Sequence, residues 1–124
     1  RAWVTFDDQA LYVAFDCPHP AGAPLTLAAT QRDGTTWLDE SIEIFLDPPH
    51  DHQTDLQFCV NALGIVRDSR GQDASWDCEV RTAVRRRDDG WCVEVAVPFA
   101  GLNLPLRTGT TWGLNLVRND RVNG

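Results

Sequence analysis

The side chains best placed to do chemistry lie on one stretch, Trp37-Leu38-Asp39-Glu40-Ser41-Ile42-Glu43-Ile44-Phe45-Leu46-Asp47. From Ser41 to Asp47 apolar and polar types alternate, the period of a half-buried strand. Carried back to Trp37, that period sets Trp37, Asp39, Ser41, Glu43, Phe45 and Asp47 on one side. Leu38, Ile42, Ile44 and Leu46 fall on the other side, which must be core. The first side joins an aromatic ring to acceptor oxygens, a combination that suits sugars. An indole face is electron-rich and stacks on axial C–H bonds, while a carboxylate accepts charge-assisted hydrogen bonds from hydroxyls. Trp37 is the expected stacking platform and Glu43 the expected acceptor. Gln57 and Asn61, polar on the non-core side of Leu56–Asn61, extend the same candidate surface. An ordinary solvated strand face, with Trp37 folded under a loop, would show the same spacing.

Other chemistries find less support. Glu40 and Glu43 have opposite parity on a strand, so they cannot flank one glycosidic bond as a catalytic pair. His19, His50 and His52 fall in Pro-rich or polar loops, away from any nucleophile setting, and read as surface residues. Asp47, His50, Asp51, His52 and Asp55 crowd one loop, but their spacing is not that of an EF-hand, and a solvated acidic loop explains them. All 11 basic residues are Arg, which excludes a P-loop lysine and a Schiff-base lysine. The absence of Met excludes Met/His haem ligation, though not bis-His ligation. A formal charge of -7 disfavours nucleic acid as a partner. No acid–base or nucleophile set assembles, so no enzyme activity is expected.

The elements that must position these residues are strands. Trp3–Phe6, Ala10–Cys17, Ser41–Asp47, Leu56–Asn61, Cys78–Arg87, Trp91–Phe99 and Trp112–Asn119 are short runs rich in β-branched and aromatic types. Asp7-Asp8, Asp47-Pro48-Pro49 and Asp88-Asp89-Gly90 punctuate them, the last joining Cys78–Arg87 to Trp91–Phe99 as a hairpin. That turn sets Cys78, Val80 and Val84 beside Val93, Val95 and Val97. It points Cys78 and Cys92 to opposite faces, so they should not be bonded to each other. Only Phe99–Leu104 suits a short helical turn. Trp76, Trp91 and Trp112 are expected in the core; Trp3 is unassigned. With 124 residues and 43% hydrophobic content, the reading is one all-β domain over 1–124, an antiparallel β-sandwich of about eight strands, jelly-roll-like. Its first and last strands lack partners, so terminal strands are expected to be missing and the chain to be mature, trimmed or part of a larger protein. No apolar run reaches the roughly 20 residues a membrane helix needs. Four cysteines without a CxxC pair argue against a zinc ribbon and leave disulfide and free thiol equally open.

The chain resembles the family 9 carbohydrate-binding modules and similar bacterial domains within the DOMON-like β-sandwiches. The resemblance rests on Asp7-Asp8-Gln9-Ala10-Leu11-Tyr12-Val13-Ala14-Phe15, Arg32-Asp33 and Trp37 through Asp47-Pro48. It continues in Gln57-Phe58-Cys59-Val60-Asn61 with Gly64, the Trp76 segment, Asp89-Gly90-Trp91 through Pro98-Phe99, and Trp112-Gly113-Leu114-Asn115. It implies a sandwich that binds the ends of plant polysaccharide chains between two Trp rings, with structural Ca2+ nearby. Trp37 matches the first ring and Glu43 the acid that bonds sugar hydroxyls. Cys59 stands where sugar-binding members have an Arg. The second ring and further polar contacts fall beyond Gly124, and the family's opening strands fall before Arg1.

The expectation is therefore a non-catalytic module that binds a xylan- or cellulose-class saccharide through Trp37, Glu43, Gln57 and Asn61. It would be extracellular or periplasmic, joined to other domains such as a glycoside hydrolase, and without membrane insertion of its own. Two alternatives keep the fold: a structural or protein-interaction sandwich without sugar binding, and a haem-bearing DOMON domain.

Overall fold

The computed structural model describes residues 1–122. Eight strands form: β1 (Ala2–Phe6), β2 (Ala10–Pro18), β3 (Ser41–Asp47), β4 (Leu56–Asn61), β5 (Val66–Arg70), β6 (Arg81–Arg87), β7 (Gly90–Pro98) and β8 (Gly113–Asn119). They make two four-stranded sheets, ordered β1-β2-β7-β6 and β5-β4-β3-β8. Every pairing is antiparallel. The fold is the expected all-β sandwich. Period-two alternation builds its core: Leu11, Val13, Phe15 and Cys17 of β2 lie with Trp91, Val93, Val95 and Val97 of β7, and Ile42, Ile44, Leu46, Leu56, Phe58 and Val60 come from β3 and β4. Each large side chain so buried contributes about 1.5–3 kcal/mol.

Turn chemistry agrees with the sequence. Asp7 Oδ1 accepts the N–H groups of Gln9 and Ala10 at 2.8 and 2.9 Å, closing the β1–β2 hairpin. Gly90 opens β7 against the end of β2, where a Cβ would meet Cys17 O at 2.5 Å, so no other residue fits. Phe99–Leu102 forms a short 3-10 turn within the expected Phe99–Leu104. Trp91 is fully buried; Trp76 and Trp112 are half-buried against the core.

Four expectations are corrected. The strand before the Asp88-Asp89-Gly90 turn begins at Arg81 rather than Cys78. The backbone of Cys78 is engaged elsewhere: its N–H donates to Asp68 Oδ2 at 2.8 Å and its carbonyl accepts from Arg32 Nη2 at 3.1 Å. Val84 does sit opposite Val93, but Thr82, not Val80, faces Val95. Leu38, assigned to the core by extrapolated parity, is 56% exposed. His19 is buried rather than on the surface. All four cysteines are free; Cys78 is buried and Cys92 half-buried. Of the terminal segment expected to run without a partner, Asn123 and Gly124 lie outside the described residues.

Candidate functional site

The candidate site is the outer face of the second sheet, and strand order builds it. Glu43 on β3 lies opposite Cys59 on β4 and Val117 on β8, and Cys59 lies opposite Arg67 on β5. Residues opposite one another in an antiparallel ladder project to the same face. Glu43 is therefore gripped from both neighbouring strands. Gln57 Nε2 donates to Glu43 Oε2 at 2.5 Å, and Asn119 Nδ2 donates to Glu43 Oε1 at 2.7 Å. Asn119 Nδ2 also reaches Ser41 Oγ at 3.1 Å, and Ser69 Oγ reaches Gln57 Oε1 at 3.5 Å. A carboxylate has about four lone-pair sites. Two are filled here, so the group, only 9% exposed, is fixed in orientation with lone pairs left over.

Trp37 reaches this face by a route the parity argument did not contain. Thr36–Leu38 is a 3-10 turn, and β3 begins only at Ser41. The turn packs on β3 and β4, burying Thr36 while Trp37 stays 37% exposed. The Arg67 guanidinium lies 4.6 Å from the indole centroid, a cation–π contact. Arg121 Nη2 donates to the Trp37 carbonyl at 2.5 Å, holding the turn from beyond β8. Trp37 and Glu43 are thus gathered at one face. Arg67 and Glu43 stand two strands apart, about 10 Å at their Cα atoms.

Asn61 leaves the candidate set. It has the outer parity, yet it is fully buried. Its Nδ2 donates to Ala29 O and Asp39 Oδ2 at 2.8 and 2.9 Å, and its Oδ1 accepts the N–H groups of Leu63 and Ile65 at 3.1 and 3.0 Å. Asp39 is also buried, accepting the N–H groups of Ala28 and Ala29 at 2.8 and 3.0 Å. The segment before the 3-10 turn crosses over this end of the sheet and consumes both side chains. Arg67 and Asn119 take their place at the face. Neither lies on the Trp37–Asp47 stripe, and only the strand order β5-β4-β3-β8 brings them in. The one signal available in the sequence was the polar residue at the end of Trp112–Asn119.

The crowded loop after β3 is a turn device. Asp47 accepts the N–H groups of Asp51 and His52, and Asp51 those of Gln53 and Thr54. The Thr54 and Gln53 N–H groups hold the Asp51 carboxyl below the usual range. Among the described residues two other groups have cation-binding geometry. His19, Glu40 and Asp120 converge, but Arg118 Nη2 already stands 3.7 Å from Glu40 and 3.6 Å from Asp120, so this cluster carries its own cation. Asp33, Asp68 and Asp77 converge at the other side. Asp68 is fully buried with Oδ1 unpartnered, while Oδ2 takes Arg32 Nη2 at 2.8 Å. Burial pushes the Asp68 carboxyl up, against the pull of the Cys78 N–H and Arg32. Arg32 also stands 3.8 Å from Asp33 and 3.4 Å from Asp77, so this cluster too carries a cation, but three carboxylates outnumber it and Asp68 Oδ1 is left over, an oxygen donor of the kind hard Ca2+ takes.

The outer face of the second sheet thus brings together an exposed aromatic ring and a carboxylate fixed by two amides. The chain belongs to the family described as carbohydrate family 9 binding domain-like, whose model matches residues 1–124. It is similar to a family 9 carbohydrate-binding module from Caldicellulosiruptor kristjanssonii in complex with glucose, at 25% identity and a TM-score of 0.68 over 96% of this chain and 58% of that one. A module of the same family and organism in complex with cellotriose matches at 24% identity and a TM-score of 0.63, over 91% of this chain and 53% of that one. A protein from Bacteroides uniformis, proposed to bind carbohydrate, shares the fold at 15% identity and a TM-score of 0.76, over 94% of this chain and 61% of that one. The chain thus spans a little over half the length of these structures. No curated protein matches it.

Proposed function

We propose that this chain is a non-catalytic module that binds a neutral saccharide of the xylan or cellulose class on the outer face of its second sheet. The carrying observation is Glu43, held by Gln57 and Asn119 with acceptor capacity to spare, at the same face as an exposed Trp37 ring. A sugar ring stacks on the free indole face, Glu43 accepts its hydroxyls, and Arg67 backs the other indole face. Arg67 also brings a guanidinium into the register position of Cys59, which itself has none to offer. Family membership and the sugar-bound relatives support this reading. One platform and a few hydrogen bonds give weak binding, on the order of 10 µM to mM. Joined to a catalytic or anchoring partner outside the cell, such a module raises local concentration on a polysaccharide. Calcium held by Asp33, Asp68 and Asp77 is part of the same proposal, as a structural clamp. The test is calorimetric titration with xylo- and cello-oligosaccharides. Trp37→Ala and Glu43→Gln each weaken binding at least about tenfold, the loss of roughly one good contact. Affinity unmoved by both substitutions, or absent in the parent chain, refutes the site.

A second reading, packing against another domain or subunit, is favoured by one feature. Phe6 is 74% exposed beside Trp112 and Leu114 at one end of the sandwich, around a cleft of about 650 Å3.

A further inference from the structure

The outer face of the first sheet carries an aromatic and charged set of its own, on the side of the molecule away from Glu43. Register places Trp3, Ala14, Glu94 and Ala83 in one row across β1, β2, β7 and β6. The next row holds Thr5, Tyr12, Ala96 and Arg81. Alanines at the centre leave a floor, and the larger residues stand around it as walls of a trough of about 650 Å3. Trp3 is 48% exposed, with the Arg1 guanidinium 5.0 Å from its ring centroid, so one face is taken and the other open.

The charge of this face is opposite to that of the molecule. The chain carries -7 overall, yet on this face Arg1, Arg81, Arg85 and Arg87 meet only Asp16, Glu94 and, through the Tyr12 hydroxyl, Asp7. Asp16 is already bound by Arg87 at 2.7 Å, whereas Arg81 and Arg85 have no ion-pair partner among the described residues. Arg81 and Arg85 project to the same face, about 13 Å apart along β6. Guanidinium forks match carboxylates bidentately. Unpaired arginines beside an open indole therefore complement a ligand that has both a carbohydrate face and carboxylates.

We propose that this trough is a second binding site, for uronate-bearing oligosaccharide, independent of the site on the second sheet. In it the sugar ring stacks on Trp3, its carboxylate pairs with Arg81, and Glu94 accepts a hydroxyl. Arg85 meets the next carboxylate along the chain. A nucleic acid is the less fitting anion, since its dense phosphates would meet the acidic remainder of the molecule.

Calorimetric titration with trigalacturonate at low salt tests this. Binding is expected with a Kd on the order of 0.1–1 mM. Trp3→Ala and Arg81→Gln each weaken it about tenfold, added salt weakens it further, and Trp37→Ala leaves it unchanged. All three side chains are exposed or half-exposed, so the variants should keep the parent melting temperature. No binding of trigalacturonate, equal affinity for cellotriose in the Trp37→Ala background, indifference to Trp3→Ala and Arg81→Gln, or tighter binding of oligothymidylate would each overturn the proposal.

Discussion

Asn61 and Glu43 share a sheet face by parity and both are buried, and their fates differ in how much hydrogen-bonding capacity each has spent. Asn61 is covered by the Ala28–Ala29 segment and spends its amide on four partners, one of them the buried Asp39 carboxylate. Glu43 spends only part of its capacity, on two amides that orient it. Removing a partner from a buried charged group leaves that group unsatisfied. Asn61→Ala should therefore destabilise the fold by about 3 kcal/mol, most of it from stranding Asp39 and the Leu63 and Ile65 N–H groups. Urea unfolding measures this. The variant that remains folded at low temperature should still bind saccharide, since Asn61 offers no free atom to a ligand. A fully stable Asn61→Ala that fails to bind would return Asn61 to the site and remove Gln57 and Asn119 as sufficient supports for Glu43.

At the scale of strands and turns, period two made β2, β3, β4 and β7 legible, because their alternation is what buries a two-sided sheet. It failed where the backbone stopped being a strand. Parity carried past Ser41 placed Leu38 in the core, whereas the 3-10 turn Thr36–Leu38 exposes it. The same turn brings Trp37 to the expected face for a different reason. Arg67 and Asn119 could not be assigned to the site from spacing, because their neighbourhood with Glu43 depends on strand order, which no local pattern encodes. The cysteines give an element-level test. Cys17 on β2, Cys59 on β4 and Cys78 ahead of β6 are buried, and burial pushes each thiol up to about 11. With a thiol-reactive disulfide reagent at about pH 8 these three stay protonated and shielded, so only the half-buried Cys92 should react before unfolding. A folded pKa above the unfolded one means that the unfolded chain gives up its thiol protons first. Stability contributed by these thiols is therefore full below the ordinary value of 9.0 and is lost as pH rises toward about 11. Urea midpoints across that window should fall, and less so in Cys17→Ala,Cys59→Ala,Cys78→Ala if that variant folds. Three fast-reacting native thiols would contradict the packing of both sheets.

The molecule as a whole is joined where the chain crosses between its sheets. Arg32 lies on the crossing from β2 to β3, Asp68 on β5, and Asp77 and Cys78 on the crossing from β5 to β6. Arg32 Nη2 bridges all three partners, reaching Asp68 Oδ2, Asp77 Oδ1 and Cys78 O at 2.8, 3.4 and 3.1 Å. Three carboxylates against one guanidinium leave excess negative charge at this knot, and a bound Ca2+ there would relieve it while tying both crossings together. Binding to the native state alone stabilises by about 2.7 kcal/mol when free ion is 100 times its Kd. For a domain of this size that is about 10 °C in Tm. Burial raises the Asp68 carboxyl, so in chelator its contribution runs the unusual way: the native state holds the proton more tightly, and stability falls as pH rises through the unfolded pKa toward the folded one. Calcium requires the ionised form, so its gain should be present at neutral pH and vanish on acidification, at a higher pH than an ordinary carboxylate would give. Melting curves in Ca2+ and in EDTA across pH 4–8 (about that span covers the carboxylate range) separate the two trends. Asp68→Asn should abolish the Ca2+ gain while leaving saccharide affinity at Glu43 intact, because the knot and the binding face are different parts of the second sheet. Superimposable melting curves with and without Ca2+ would leave Arg32 as the cation that holds the crossings.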